Sequence, residues 1–212
     1  MIPRQIFITG TGTGIGKTIV SAILTEAFHA DYWKPVQAGF DNGTDSLSVG
    51  QLISNTKTII YPETYKLKKP ASPHIAAREE DITIDSDKIK NEIPRTDNTL
   101  VIEGAGGLMV PLNENEFVAD LILKLNTPVI LVSRNTLGSI NHSLLTAIAC
   151  KQKGIKVLGW IFNDQFMDYE NEIVQWSEFP KLASIPWTND PDKVFILQQA
   201  GRIKNLSQTW PC

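Results

Sequence analysis

The 212 residues predict a doubly wound α/β fold, a mostly parallel sheet with helices on both faces. Three observations carry that prediction. Short apolar runs alternate with helix-period segments. The runs are continuously apolar rather than alternating, which suits strands buried on both faces. The first run, Ile6-Phe7-Ile8, ends in a glycine-rich loop that opens a helix with Ile19, Ile23 and Ala27 four residues apart.

Further strands are expected at residues 32–36, 100–102, 128–132 and 157–162, with a weaker one at 182–185. Helices are expected at about 46–54, 117–125, 139–153 and 169–177. In the third of these, Ile140, Leu144 and Ile148 form one stripe with Leu145 beside it. Repeated strand–helix alternation implies right-handed crossovers. Residues 57–95, punctuated by Pro62, Pro70, Pro73 and Pro94, are harder to read. They are expected to form a partly irregular excursion with one or two short helices. The segment beyond Asp190 carries no clear signal. Without an internal repeat or a low-complexity linker, residues 1–212 are expected to form one domain.

Composition excludes several classes. A formal net charge of −3 makes no electrostatic case for nucleic-acid or anionic-membrane binding. Cys150 and Cys212 are too few and too far apart for a disulfide framework or a zinc site, and Cys150 reads as a small buried thiol. His29, His74 and His142 show no metal-ligand spacing. The N-terminus lacks the apolar core of a signal peptide, and no apolar run approaches the roughly 18 residues of a membrane helix. A cytoplasmic setting is therefore expected.

The most informative segment is Gly10-Thr11-Gly12-Thr13-Gly14-Ile15-Gly16-Lys17-Thr18. Glycines allow a tight turn in which successive N–H groups face phosphate oxygens, and the helix that follows adds its positive end. Lys17 can reach the β- and γ-phosphates, and the Thr18 hydroxyl can ligate magnesium. The loop fits the phosphate-binding pattern when it runs from Gly10, one residue longer than standard. The Gly16-Lys17-Thr18 ending argues against a dinucleotide fingerprint.

Ligands in open α/β sheets lie at the carboxyl ends of strands. Lys34, in Lys34-Pro35-Val36-Gln37-Ala38-Gly39, ends one strand; a Lys there either meets an anion or snorkels to the surface. Glu103, before Gly104-Ala105-Gly106-Gly107, ends another and suits an acidic magnesium ligand. Asp45 is the third candidate ligand and reads equally as an N-cap of the next helix. Asn163, followed by Asp164, offers an amide that matches adenine, although Asn-Asp after a strand is also ordinary turn chemistry.

Taken together these segments resemble the dethiobiotin synthetase family over most of the chain. The resemblance rests on eight segments in family order. They are Thr9-Gly10-Thr11, the lengthened loop, Lys34-Pro35-Val36, Ser72-Pro73-His74, Glu103 to Gly107, Leu137-Gly138-Ser139-Ile140-Asn141-His142, Asn163-Asp164 and Ile185-Pro186-Trp187. It implies an ATP- and Mg2+-dependent cyclo-ligase that converts 7,8-diaminopelargonate and CO2 into dethiobiotin, through a carbamate and a carbamic-phosphoric anhydride, in biotin biosynthesis. Lys17 and Lys34 would be catalytic. Gly14, Ile15, Gly16, Lys17, Thr18 and Ile19 would bind phosphate. Thr18, Asp45 and Glu103 would hold the metal. Glu103, Gly104, Ala105, Gly106, Asn163, Asp164, Pro186, Trp187 and Thr188 would line the nucleotide.

The resemblance also implies a homodimer with the substrate site at the interface. Lys34 and Ala38 would meet the substrate, joined by Leu137, Gly138 and Asn141 of the second subunit. Structural roles are favoured for His74 and His142. Two departures stand out: Ala38 replaces a hydroxyl common in relatives, and Gly14 stands where an acidic residue is common. The alternatives are a related ATP-dependent amide ligase and a partitioning-type nucleotide switch. The switch usually carries a second lysine early in its loop, where this chain has Thr11-Gly12-Thr13.

Overall fold

The computed structural model describes residues 2–41, 43–164, 167 and 169–210. In chain order the elements are β1 (Gln5–Gly10), α1 (Lys17–Phe28), β2 (Asp31–Trp33), β3 (Val36–Ala38), α2 (Asp45–Leu52), β4 (Ile60–Tyr61), β5 (Tyr65–Leu67), α3 (Pro73–Glu79), α4 (Ser86–Asn91), β6 (Leu100–Glu103), α5 (Val118–Leu125), β7 (Val129–Arg134), α6 (Ser139–Lys153), β8 (Val157–Asn163), α7 (Glu170–Ser177), β9 (Lys181–Ile185) and α8 (Lys193–Leu206). Seven strands form one sheet in the order β4-β2-β6-β1-β7-β8-β9, and every pairing in it is parallel. All the carboxyl ends therefore open on one edge.

The strand side chains alternate between two apolar layers, as the two-residue period of a strand demands. Ile6 and Ile8 face α1, α2 and α8 together with Tyr32, Val101 and Ile130. Phe7, Trp33, Ile102, Leu131 and Trp160 face the other way, against α3 to α7. Both layers are buried, which explains why the strands read as unbroken apolar runs.

Three expectations need correction. The strand expected at 32–36 is two strands, because Pro35 has no N–H for the ladder and the chain leaves the main sheet there. β3 pairs with β5 in a small parallel sheet of its own. The apolar stripe of α6 is not its buried face: Ser139, Ser143, Ala147 and Cys150 turn toward the sheet, while Leu145 and Ile148 are exposed. Small residues let α6 lie close, and Ser143 Oγ meets Ser133 Oγ of β7 at 2.9 Å. Last, the N-cap of α2 is Thr44, whose side chain accepts from the Leu47 N–H, so Asp45 is left with its carboxylate uncommitted to capping.

The 57–95 excursion does carry two short helices, α3 and α4, and adds the strands β4 and β5. The segment beyond Asp190 forms the 14-residue α8, started by an Asp192 side chain that accepts from the Phe195 N–H. Cys150 is a buried free thiol whose pKa burial pushes up to about 12; Cys212 lies outside the described residues. Among the described residues no helix is long and apolar enough to cross a membrane.

Ile23 is wholly buried at the centre of the α1–α8 layer. Ile23→Ala is expected to cost about 2–5 kcal/mol of unfolding free energy. Urea denaturation would show this as a lower midpoint with an unchanged slope.

Candidate active site

The loop from Gly10 to Gly16 connects β1 to α1 and runs over the carboxyl edge of the sheet. Gly16 has φ +90°, and a Cβ there would stand 2.4 Å from Asn163 Nδ2, so the position excludes side chains twice over. The α1 N-terminus has no side-chain cap and no acid in its first turn, which leaves its N–H groups for an anion. Lys17 is buried and donates to Gly12 O at 2.7 Å, folding back across the loop it follows. A second glycine turn, after Glu103, packs on this loop: Leu108 N–H donates to Gly10 O, and a Cβ at Gly107 would lie 3.1 Å from the same oxygen.

Four charged side chains converge beside the loop. Lys34 is 4% exposed and contacts Asp45 Oδ2 at 2.5 Å and Glu103 Oε1 at 3.1 Å. Thr18 Oγ1 lies 2.9 Å from Asp45 Oδ1 and 3.0 Å from Glu103 Oε1. The snorkelling alternative for Lys34 is thus corrected: its ammonium is inside, between two carboxylates. Burial would lower its pKa, but the charges of Glu103 and Asp45 outweigh burial and hold it above 10.5. Burial likewise opposes ionisation of Asp45, and Lys34 outweighs it to keep that carboxyl below its usual 3.8. Lys17 goes the other way. Burial, reinforced by Lys34, lowers it to about 8 against the opposing pull of Glu103 and Asp45.

Thr18 has one hydroxyl proton yet two carboxylate oxygens within 3.0 Å. A hydroxyl and two carboxylates in so small a space are the hard oxygen donors that magnesium takes, with phosphate and water completing its octahedron. The residues present therefore fit that ion.

A cleft of about 700 Å³ opens over this group, with Gln37, Ala38, Ser72 and Pro73 on its far wall and Ala105 and Gly106 beside Glu103. Gly104 packs against Phe7 instead of lining the cleft. A smaller hollow of about 130 Å³ continues past Gly14, Ile15 and Ile19 to Asn163, Asp164, Pro186, Trp187 and Thr188. Asn163 Nδ2 donates to Ile15 O at 2.6 Å, so part of that amide braces the phosphate loop. Leu137, Gly138 and Asn141 are exposed at the start of α6 and do not line the cleft of their own chain. His74 Nδ1 meets Ser72 Oγ at 3.2 Å, and His142 is exposed. Gly14 is exposed, with open space where a side chain would stand.

Some participants escaped the sequence reading. Tyr32 donates to Glu103 Oε2 at 3.0 Å; burial first, then the charges of Glu103 and Asp45, push its pKa well above 10. Its position two residues before Lys34 was the available signal, since a strand repeats its faces every two residues. Gln37 Oε1 accepts from the Asp45 N–H at 3.2 Å. Arg134, at the end of β7, lies over the Trp187 ring at 4.1 Å and pairs with Asp164 at 3.6 Å.

A family model described as an AAA domain matches residues 4–194. An ATP-dependent dethiobiotin synthetase of Christiangramia forsetii is 52% identical over 76% of this chain and 77% of its own. One from Rhodopseudomonas palustris is 43% identical over 91% of each. The chain belongs to the dethiobiotin synthetase family. As a dethiobiotin synthetase it has an ATP-dependent ligase's phosphate loop on a P-loop NTPase sheet. Solved structures show the same fold at low identity. The MinD protein of Pyrococcus horikoshii, complexed with Mg-ADP, has a TM-score of 0.59 at 17% identity, over 96% of this chain and 90% of that one. A ParA family ATPase of Chlorobium tepidum has a TM-score of 0.57 at 14% identity, over 97% and 92%.

The lowered Lys17 pKa sets an expected pH profile for this synthetase. If Lys17 binds phosphate as its place in the loop predicts, it does so as the ammonium, which is present below about pH 8 and lost as pH rises through that value. kcat/KM for ATP, which reports the free enzyme, is expected to fall above about pH 8. Steady-state kinetics at varied pH check this, and a flat profile to about pH 9.5 would contradict it.

Proposed function

We propose that the chain closes the ureido ring of dethiobiotin from 7,8-diaminopelargonate, CO2 and MgATP, acting as a single-domain cytoplasmic homodimer. The observation that carries this reading is Lys34, a buried ammonium at a strand end, held between Asp45 and Glu103 and facing the cleft beside the phosphate loop. Relatives named as ATP-dependent dethiobiotin synthetases, 43–52% identical to this chain, support it.

In this reading one substrate amine adds to CO2 and loses a proton, giving a carbamate. A carbamate oxygen attacks the γ-phosphorus and ADP leaves. The second amine then attacks the carbonyl carbon of the mixed anhydride and gives up a proton to solvent or the departing phosphate, phosphate leaves, and the ring closes. Lys17 and Lys34 would set their charges against the oxygens of the transferring group, while the loop N–H groups and the α1 N-terminus hold the phosphates in line. Thr18, Asp45 and Glu103 would hold magnesium, which when bound supplies further positive charge at the phosphate oxygens. The small hollow would take the base, against Asn163, Asp164, Pro186, Trp187 and Thr188.

Phosphate release from MgATP tests the assignment. It is expected to require both diaminopelargonate and bicarbonate, and to vanish in Lys17→Ala. Lys34→Ala is expected to lower kcat by about 10²-fold or more. ATP turnover at one rate with or without the two additions would defeat the reading and favour a nucleotide switch.

The homodimer is supported by α6, which exposes Leu145 and Ile148, and by Leu137 just before the helix, itself 87% exposed. Leu145→Glu with Ile148→Glu is expected to convert a dimer into a monomer in sedimentation and to lower activity, because residues 137–141 would complete the partner's site. A variant that stays dimeric would move the interface elsewhere.

A further inference from the structure

Tyr32 is wholly buried in β2, the strand next to β6, yet its phenol is aimed at a charged group. The two oxygens of Glu103 are divided between different partners. Oε2 accepts from Tyr32 at 3.0 Å, while Oε1 accepts from Lys34 at 3.1 Å and lies 3.0 Å from the Thr18 hydroxyl. The terminal torsion of a Glu side chain is broad and roughly two-fold, so the backbone alone does not choose which oxygen faces the loop. Glu103 is 1% exposed, so water does not choose either.

We propose that Tyr32 is a positioning residue: by holding Oε2 of Glu103 it presents a single carboxylate oxygen to the cation site formed with Thr18 and Asp45. The proposal rests on the reading of those three residues as magnesium ligands. Its chemical consequence is selectivity. Magnesium demands near-ideal octahedral geometry with short bonds, whereas calcium readily accepts both oxygens of one carboxylate. A Glu103 held at Oε2 turns both oxygens to one ion only by bending or breaking that bond, so the tether disfavours bidentate binding and favours the smaller cation.

Tyr32→Phe removes the hydroxyl and keeps the ring in the core. Calorimetric titration of ADP binding to the full chain, at increasing Mg2+ and separately at increasing Ca2+, reads the effect without turnover. In the wild type Mg2+ is expected to tighten ADP binding more than Ca2+ does. In Tyr32→Phe the Mg2+ needed for half the effect is expected to rise about tenfold or more, the usual consequence of losing a ligand's hydrogen-bond support. The preference for Mg2+ over Ca2+ is expected to narrow, and kcat to recover at saturating Mg2+. A variant with a lower melting temperature but the wild-type Mg2+ dependence would overturn the positioning role and leave the ligand assignment standing. Wild-type ADP binding indifferent to Mg2+ would overturn both. Should Tyr32→Phe fail to fold, Tyr32→Leu, which also removes the donor to Glu103 Oε2 and keeps an apolar side chain in the core, gives the same comparison.

Discussion

The ion cluster around Lys34 is the constraint on which the rest of the site depends. An ammonium buried this deeply is tolerable only when paired, and here two carboxylates from different parts of the chain share it. Asp45 starts α2 and Glu103 ends β6, so Lys34 binds together elements far apart in sequence. With Lys17 nearby, two positive and two negative side chains cancel. Truncating any one of the four would leave an uncompensated charge in the interior. The cluster is therefore as much a fold constraint as a chemical device, and its geometry is defended from several sides. Gln37 Oε1 accepts from the Asp45 N–H, while Glu26 of α1 accepts from the N–H groups of Ser54 and Asn55, just past the end of α2, and from the Asn55 side chain. The backbone around both ends of α2 is thus held, and the Asp45 carboxylate is held in turn by Thr18 and Lys34.

The parallel sheet makes such convergence possible. Because the seven strands point one way, β1, β2, β6 and β8 deliver the phosphate loop, Lys34, Glu103 and Asn163 to the same edge. The glycine turns after β1 and β6 then pack directly on one another, bringing the phosphate loop and Glu103 within reach of the single hydroxyl of Thr18. Side chains at those turns would have held the two loops apart.

Much of this was legible in the sequence. The unbroken apolar runs announced strands covered on both faces, and Gly16-Lys17-Thr18 announced an anion site at a helix start. Lys34 and Glu103 were recognisable as charged residues closing apolar strands. The rest was not legible, for identifiable reasons. Pro35 lies inside the run 32–36, which reads as one strand although a proline cannot join a ladder, and so the small β3–β5 sheet is hidden from the sequence. The buried face of α6 consists of Ser139, Ser143, Ala147 and Cys150, too small to dominate a hydrophobic pattern, so its larger apolar residues drew attention to the face turned away from the sheet. Gln37 and Glu26 act through hydrogen bonds to backbone groups of other elements, a relation no local pattern encodes, and for Tyr32 the strand period gives the face but not the bond to Glu103. Helix α8 has a weak apolar signal because many of its residues are exposed, although Ile196, Ala200 and Ile203 anchor it to α1.

The stacking of Arg134 on Trp187 has a practical consequence. Trp33 and Trp160 are sealed in the core, where their surroundings are shielded from events at the cleft. Trp187 is instead half exposed, covered by a guanidinium and set on the wall of the smaller hollow. Its indole emission depends on what lies against the ring and on how much water reaches it. Trp187 is thus an intrinsic fluorophore on the wall of that hollow; Trp176 of α7 is about equally exposed, so in a Trp176→Phe background a change of emission on filling the hollow would arise chiefly from Trp187.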